Sequence, residues 1–311
     1  VKHARWLLRR LALSALVVLG AATTAFCALR LAPGDPVTVM VGMAAAQDDS
    51  VVEQVRHNLG FDRPFLEQYA LFLGRLLRGD LGYSYQLDEP VSRLLREGLL
   101  PTVELASAGF ALALVVGLLL AVATAGRRPF LRRLSAGFEL LMISVPGFWV
   151  GLLLLAFFSF RLDLFPAIGG SGLNGLVLPA VTLALSLVGV YAQVLRDGLT
   201  RALDEPFVLS SRARGTGETA VRWRHALRHA LISIITISGW TLGAMLGGTV
   251  IIETIFSRPG LGRTLATAIE NRDFPVVTGL VVVSGTVFAL INLAVDLLYR
   301  WVDPRLREVK L

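Results

Sequence analysis

Few residues in this chain are spaced for chemistry. His225 and His229 stand four apart and would share one face of a helix, the spacing of two metal ligands. No third ligand lies at a matching distance in the sequence. Arg222, Arg224 and Arg228 surround the pair and disfavour a cation, so helix packing or contact with a partner is the better reading. His3 and His57 are isolated. No glycine-rich run ends in Gly-Lys-Ser/Thr, so a phosphate-cradling loop of that kind is missing. The single cysteine, Cys27, excludes an intrachain disulfide and a cysteine metal cluster. Two carboxylates, Glu104 and Glu253, sit close to the ends of apolar runs, where a passing ammonium could meet them; interfacial solvation is the plainer explanation. Asp296 lies four residues before Arg300, the spacing of a local helical ion pair.

The dominant feature is a basic segment, 196–230, set between two long apolar runs. Asp204-Glu205-Pro206 is a helix start signal, with acidic residues at the amide end and proline ready for the first turn. Gly215 and Gly217 then mark a tight reversal, after which a second helical run begins at Glu218. Membrane orientation alone accounts for the arginines of such a loop, but not for the order helix, glycine, helix.

The elements that must hold this segment are apolar. Of 311 residues 54% are hydrophobic, and the mean hydropathy is +0.65. Repeated windows of membrane-spanning length are nearly free of charge. Six spans are predicted, near 9–30, 101–125, 136–160, 176–195, 231–255 and 276–299, each a helix because lipid leaves no other way to satisfy the backbone. The fourth is the weakest, since Pro179 interrupts its first turns; a re-entrant or tilted helix is the alternative there. The first run also has the form of a signal peptide, with Arg9-Arg10 before it and Ala21, Ala22 and Ala25 near its end; five later spans favour an uncleaved helix.

Charge orients the scheme. Segments 1–10, 126–135, 196–230 and 300–311 carry 4, 4, 7 and 4 Lys or Arg, against 1 and 3 in 161–175 and 256–275. The basic segments therefore face the cytoplasm, with both termini. The net charge of +7 is explained by orientation and anionic lipid, not by nucleic acid, because no aromatic stacking surface or binding module accompanies it. The polar stretch 31–100 falls outside the membrane. It opens on Ala32-Pro33-Gly34-Asp35-Pro36 and predicts short helices over 50–59, ended by Gly60, and over 65–78. It is either a structural cap or a guide for an outer partner. The expected organisation is an N-terminal helix 1–30, an extracytoplasmic segment 31–100, a five-helix core 101–300 and a cytoplasmic tail 301–311.

Several blocks in one order carry a resemblance. They are Leu31-Ala32-Pro33-Gly34-Asp35-Pro36, Leu59-Gly60-Phe61-Asp62-Arg63-Pro64, Gly79-Asp80-Leu81-Gly82, Pro101-Thr102-Val103-Glu104-Leu105, Ile252-Glu253-Thr254-Ile255-Phe256-Ser257-Arg258-Pro259-Gly260-Leu261-Gly262 and Asp303-Pro304-Arg305. The chain resembles, over essentially its full length, the permease subunits of binding-protein-dependent ABC importers, in particular the first permease of dipeptide, oligopeptide and nickel systems. The resemblance implies an all-α polytopic membrane protein with six transmembrane helices and the type I importer fold, in a bacterial or archaeal plasma membrane. It implies a second homologous permease, two cytoplasmic ATPase subunits or domains that bind ATP and Mg, an extracytoplasmic substrate-binding protein and surrounding lipid, with no cofactor in this chain and no catalysis by it.

The family's coupling motif, by the same resemblance, places its opening at Leu209, Ser210 and Ser211, runs through Arg212, and puts its glycine at Gly215 and its later histidine at His225. Leu209 departs from the acidic or polar residue often found there, serines replace alanines, and the later proline of some relatives is absent. Glu104 and Glu253 are candidates for translocation or gating. Two other readings stay open: a secondary transporter, which would favour internal repeats and mid-membrane polar breaks, and a structural or signalling subunit.

Overall fold

The computed structural model describes residues 2–31, 35, 37–38, 48–126, 129–170 and 172–302. The breaker cluster Ala32-Pro33-Gly34, Ser171 and the Asp303-Pro304-Arg305 block lie outside the described residues, as does the Arg300 side chain that would pair with Asp296.

The elements are α1 (Lys2–Leu31), α2 (Asp49–Leu59), α3 (Phe65–Leu77), β1 (Tyr83–Ser84), β2 (Glu89–Pro90), α4 (Val91–Thr124), α5 (Pro129–Ser144), α6 (Gly147–Leu154), α7 (Gly172–Leu203), α8 (Pro206–Ala213), α9 (Glu218–Ala220), α10 (Leu227–Ile255), α11 (Leu261–Glu270) and α12 (Phe274–Val302). A wider π turn prolongs α6 over Leu155–Arg161, and another joins α9 to α10 over Val221–Ala226. The architecture is all-α; β1 and β2 form only a small antiparallel hairpin with Tyr83 opposite Pro90. Among the described residues four helices are long and apolar enough to cross a membrane, and up to six spans result if each of two bent pairs is one span.

The departures from expectation are at prolines. The fourth span is unbroken: α7 runs 32 residues with Pro179 inside it. The third is sharply broken, α5 and the α6 segment meeting at a bend of 98°. Val145 precedes Pro146, whose ring disfavours helical backbone at that position and whose nitrogen donates no hydrogen bond, so one helix stops and another starts. The second helix begins ten residues earlier than the sequence suggests, at Val91, because Val91 and Leu95 are buried with Leu261, Val276 and Leu280.

The contacts divide the chain into two compact units. The first holds Val1–Thr102 and Pro259–Leu290. In it α2 starts at Asp48, whose carboxylate accepts from the Ser50 amide at 3.0 Å, and ends on Gly60 in the left-handed region at φ 71°. Phe26 of α1 packs its ring against Phe65, Tyr69 and Phe72 of α3. Behind the hairpin Ser84 donates to the buried Asp273, and Gln86 Nε2 to the Asn271 carbonyl at 2.6 Å.

The second unit holds Val103–Arg258 and Ile291–Leu311. Its centre is α7, packed by α10, α5 and α6. Two glycines of α4 allow close approach to it. A Cβ on Gly109 would fall 2.8 Å from Leu183, and one on Gly117 2.8 Å from Tyr191. Small residues at these positions bring helix backbones together where lipid offers no hydrophobic gain from association.

Candidate coupling surface

α7 ends at Leu203, and Asp204 and Glu205 turn back onto the carbonyls of Arg201 and Ala202. Pro206 opens α8 in its first turn, where its missing amide costs nothing. α8 then lies on a buried floor. Val208 is fully buried with Leu203, Val221, Ala226 and Ala230, and Ser211 is 2% exposed, its hydroxyl donating to Phe207 O at 2.9 Å. Phe207 stacks on His229, ring centroids 4.7 Å apart.

The helix ends in a complete Schellman cap. Gly215 N–H donates to Arg212 O at 2.9 Å and Thr216 N–H to Ser211 O at 3.2 Å. Gly215 has φ +79°, and a Cβ there would meet nothing within 4 Å, so glycine is required by backbone conformation and not by crowding within the chain. Across the turn Arg212 binds Glu218 through two nitrogens, at 2.7 and 3.2 Å. That exposed bidentate pair contributes little stability, but it fixes the approach of α9 to α8.

The predicted coupling residues therefore divide by role. Leu209, at 71% exposure, points away from the protein together with Ser210 and Arg212; Ser211 faces the floor and Gly215 forms the turn. His225 is half-buried on the π turn that leads into α10, and His229 stacks on Phe207 of α8. Any force applied to α8 meets a rigid base, because α8, the π turn and the foot of α10 share one core with α7.

Two polar assemblies lie elsewhere in the second unit. At one, the exposed carboxylate of Glu104 accepts from Arg258 at 3.1 Å, and Arg258 also donates to Gly175 O at 3.4 Å. Gly175 is four residues before Pro179, so its carbonyl is the one that proline leaves without a helix donor, and the guanidinium takes its place. Glu253 is fully buried, and its main-chain carbonyl accepts from Arg258 N–H at 2.9 Å. The carboxylate of Glu104 is thus seen on the Arg258 guanidinium, and Glu253 meets Arg258 through the main chain.

The other assembly was missed by sequence reasoning. Glu139 of α5, 3% exposed, receives two bonds from Arg196 of α7 at 2.5 and 2.6 Å, and Ser135 donates to Glu139 at 2.6 Å. The signal was present: Glu139 is the one charged residue in the apolar run 136–160, and an ionisable group there calls for a partner. Arg196, placed with the basic segment by its charge, belongs to the helix before it. Among the described residues no group of three or more His, Cys, Asp or Glu is arranged to hold a metal ion.

The comparisons with known proteins fall on these same elements. The family model described as the binding-protein-dependent transport system inner membrane component matches residues 113–308, which contain α8, the Gly215 turn, the Glu139–Arg196 pair and Arg258. A companion model for the N-terminal part of such components matches residues 3–106. The chain belongs to this family. It is the membrane permease subunit of an ABC importer, and a multi-pass membrane protein.

Relatives extend over nearly the whole chain. A protein of Brucella abortus (strain 2308) bearing the name peptide transport system permease protein is 37% identical over 310 residues, 97% of this chain and 98% of that protein. The glutathione transport system permease protein GsiC of Pectobacterium atrosepticum is 35% identical, over 91% of this chain and 92% of its own length. Among solved structures, inward-facing MetNI, a methionine ABC transporter, superposes with a TM-score of 0.54 at 23% identity, covering 68% of this chain and 96% of that one. That likeness shows the fold.

Proposed function

We propose that this permease carries short peptides inward across the membrane, paired with a second homologous permease, driven by two cytoplasmic ATPase subunits and fed by an extracytoplasmic binding protein. The observation that carries the coupling half of this reading is the α8 cap: an exposed face of Leu209, Ser210 and Arg212 on a buried base, closed by the Gly215 turn. The peptide half rests on the names of the relatives.

The geometry supports a division of labour. ATP binds the closed form of the ATPase pair more tightly than the open form, which supplies the bias between two permease states. An exposed leucine at position 209 suits an apolar cleft in the partner, and Arg212, already held by Glu218, keeps the turn rigid as load passes to α10 through Phe207 and His229. The permease then alternates between outward-open and inward-open arrangements, with α8 on the cytoplasmic side and both termini there. The route lies between two permeases, so this chain supplies one wall. Glu104, held by Arg258, and the buried Glu253 stand as gating candidates and are not proposed as specificity residues.

The test is uptake of labelled di- to pentapeptides by proteoliposomes holding the reconstituted complex, with ATP enclosed and loaded binding protein outside. Peptide accumulation that stops when this subunit is omitted supports the reading. Accumulation of an inorganic cation or another small solute in place of peptide would overturn the substrate class, and ATP turnover by the isolated chain would overturn the assignment of energy supply to a partner.

A further inference from the structure

The first compact unit holds a cleft with room for ≈ 90 Å³, bounded among others by Phe26, Arg30, Gln68, Phe72, Arg75 and Phe274. Its position follows from the sequence. Arg30 lies in the last turn of α1, where an apolar membrane-spanning run gives way to a charge, and Phe26 is one helical turn earlier. α3 lies along that end of α1: the Tyr69 hydroxyl is 2.7 Å from the Thr23 hydroxyl, and Phe26 packs against Phe72 with ring centroids 5.3 Å apart. The cleft therefore sits where hydrocarbon meets headgroups, with both aromatic rings and two arginines in its wall.

Its polar groups are incompletely matched. Arg30 and Arg75 both line it, and neither is in an ion pair among the described residues. The Arg30 guanidinium lies over the Phe61 ring at 4.4 Å and near Phe26 at 5.7 Å, while its Nε is enclosed with no acceptor. Gln68 is 7% exposed. Its Nε2 donates to the carbonyls of Phe61 and Arg63, at 3.2 and 2.6 Å, which leaves Oε1 enclosed without a donor. Asp80, at the edge, already accepts from the Gly82 amide at 3.0 Å. An enclosed polar atom without a partner is costly, so two of them on residues that line one cleft point to something that belongs in it.

The occupant must bring an anion for two arginines, a hydrogen-bond donor for Gln68 Oε1 and an apolar body for Phe26 and Phe72. Inorganic phosphate meets the first requirement and leaves the aromatic wall bare. A phospholipid whose headgroup carries a hydroxyl or ammonium meets all three. We propose that this cleft is a binding site for one such phospholipid, its phosphate between Arg30 and Arg75, its headgroup donor on Gln68 Oε1 and an acyl chain along Phe26 and Phe72. The site goes beyond the transport reading and stands whichever solute is carried.

Native mass spectrometry of the purified full complex, titrated with dioleoyl-phosphatidylglycerol, dioleoyl-phosphatidylcholine or inorganic phosphate, reads it directly. Wild-type complex is expected to retain one phosphatidylglycerol more than the Arg30→Gln, Arg75→Gln variant, with apparent affinity at that site weaker by about tenfold in the variant. Phosphatidylcholine, which has no headgroup donor, is expected to bind more weakly. If the double variant does not assemble, Arg75→Gln alone decides, because among the described residues Arg75 makes no ion pair whose loss would unfold the unit. Equal retention by wild type and variant, or displacement of the lipid by millimolar inorganic phosphate, would overturn the proposal.

Discussion

At the residue scale, the Glu139–Arg196 pair is the most consequential contact in the second unit. Both side chains are nearly enclosed, 3% and 9% exposed, so each neutralises a charge that would otherwise be stranded. Glu139→Gln leaves Arg196 uncompensated and is expected to destabilise the protein by about 3–5 kcal/mol, the range for breaking one side of a buried pair. Thermal unfolding of the purified subunit in detergent measures it. Replacing both residues by leucine should recover most of the loss, and a double variant as unstable as the single one would show that the pair is not the cause. Asp273 makes a second, pH-dependent case. Burial pushes its carboxyl above the ordinary carboxylate range, against the opposing hydrogen bonds from Ser84 and Val276. The folded state thus holds that proton more tightly than the unfolded chain. The group's favourable contribution is complete below the unfolded value of about 3.9 and is lost as pH rises through the raised folded value. Asp273→Asn should flatten this part of the stability profile, visible as a smaller fall in melting temperature between acid and neutral pH; an unchanged slope would remove Asp273 as its source.

At the element scale, the prolines show what was legible in the sequence and what was not. Apolar runs of spanning length, Gly60 ending α2 and Pro206 opening α8 were readable because each depends on the local chain. The fate of Pro146 and Pro179 was not, because it depends on what stands opposite the orphaned carbonyl. Pro179 is tolerated inside α7 while Arg258, distant in sequence, donates to Gly175 O. The same arginine is the partner of Glu104, for which interfacial solvation was the plainer reading because Arg258 is distant in sequence. Arg258→Leu is expected to cost about 1–3 kcal/mol, the penalty for a buried acceptor left unmatched. In a Pro179→Ala background the restored amide donor should shrink that cost, an interaction a double-mutant cycle in the same unfolding assay resolves. Strict additivity would contradict the link. The order helix, glycine, helix over 206–220 was readable; the stacking of His229 on Phe207 was not, since the π turn over Val221–Ala226 shifts the helical phase on which such a pairing depends.

At the scale of the whole molecule, the account places α8 and Thr219 on the cytoplasmic side and the 161–175 connection outside. With Cys27 first replaced by serine, a cysteine at Ile168 should react with an impermeant thiol reagent added to intact cells and one at Thr219 should not; both positions are exposed. Equal labelling would reverse or abolish the orientation. The central claim is that the Gly215 turn transmits the work of a partner ATPase. Gly215→Val puts a β-branched residue at φ +79° with no clash inside the chain, so the strain falls on the cap, about 1–2 kcal/mol or more, and the buried floor is untouched. The deciding measurement is peptide uptake and ATP hydrolysis on one reconstituted sample of the Gly215→Val complex with its subunit stoichiometry verified. The account predicts normal membrane insertion with uptake reduced at least about tenfold, through lost ATPase binding or through hydrolysis that no longer drives uptake. Wild-type uptake with normally stimulated hydrolysis would contradict it.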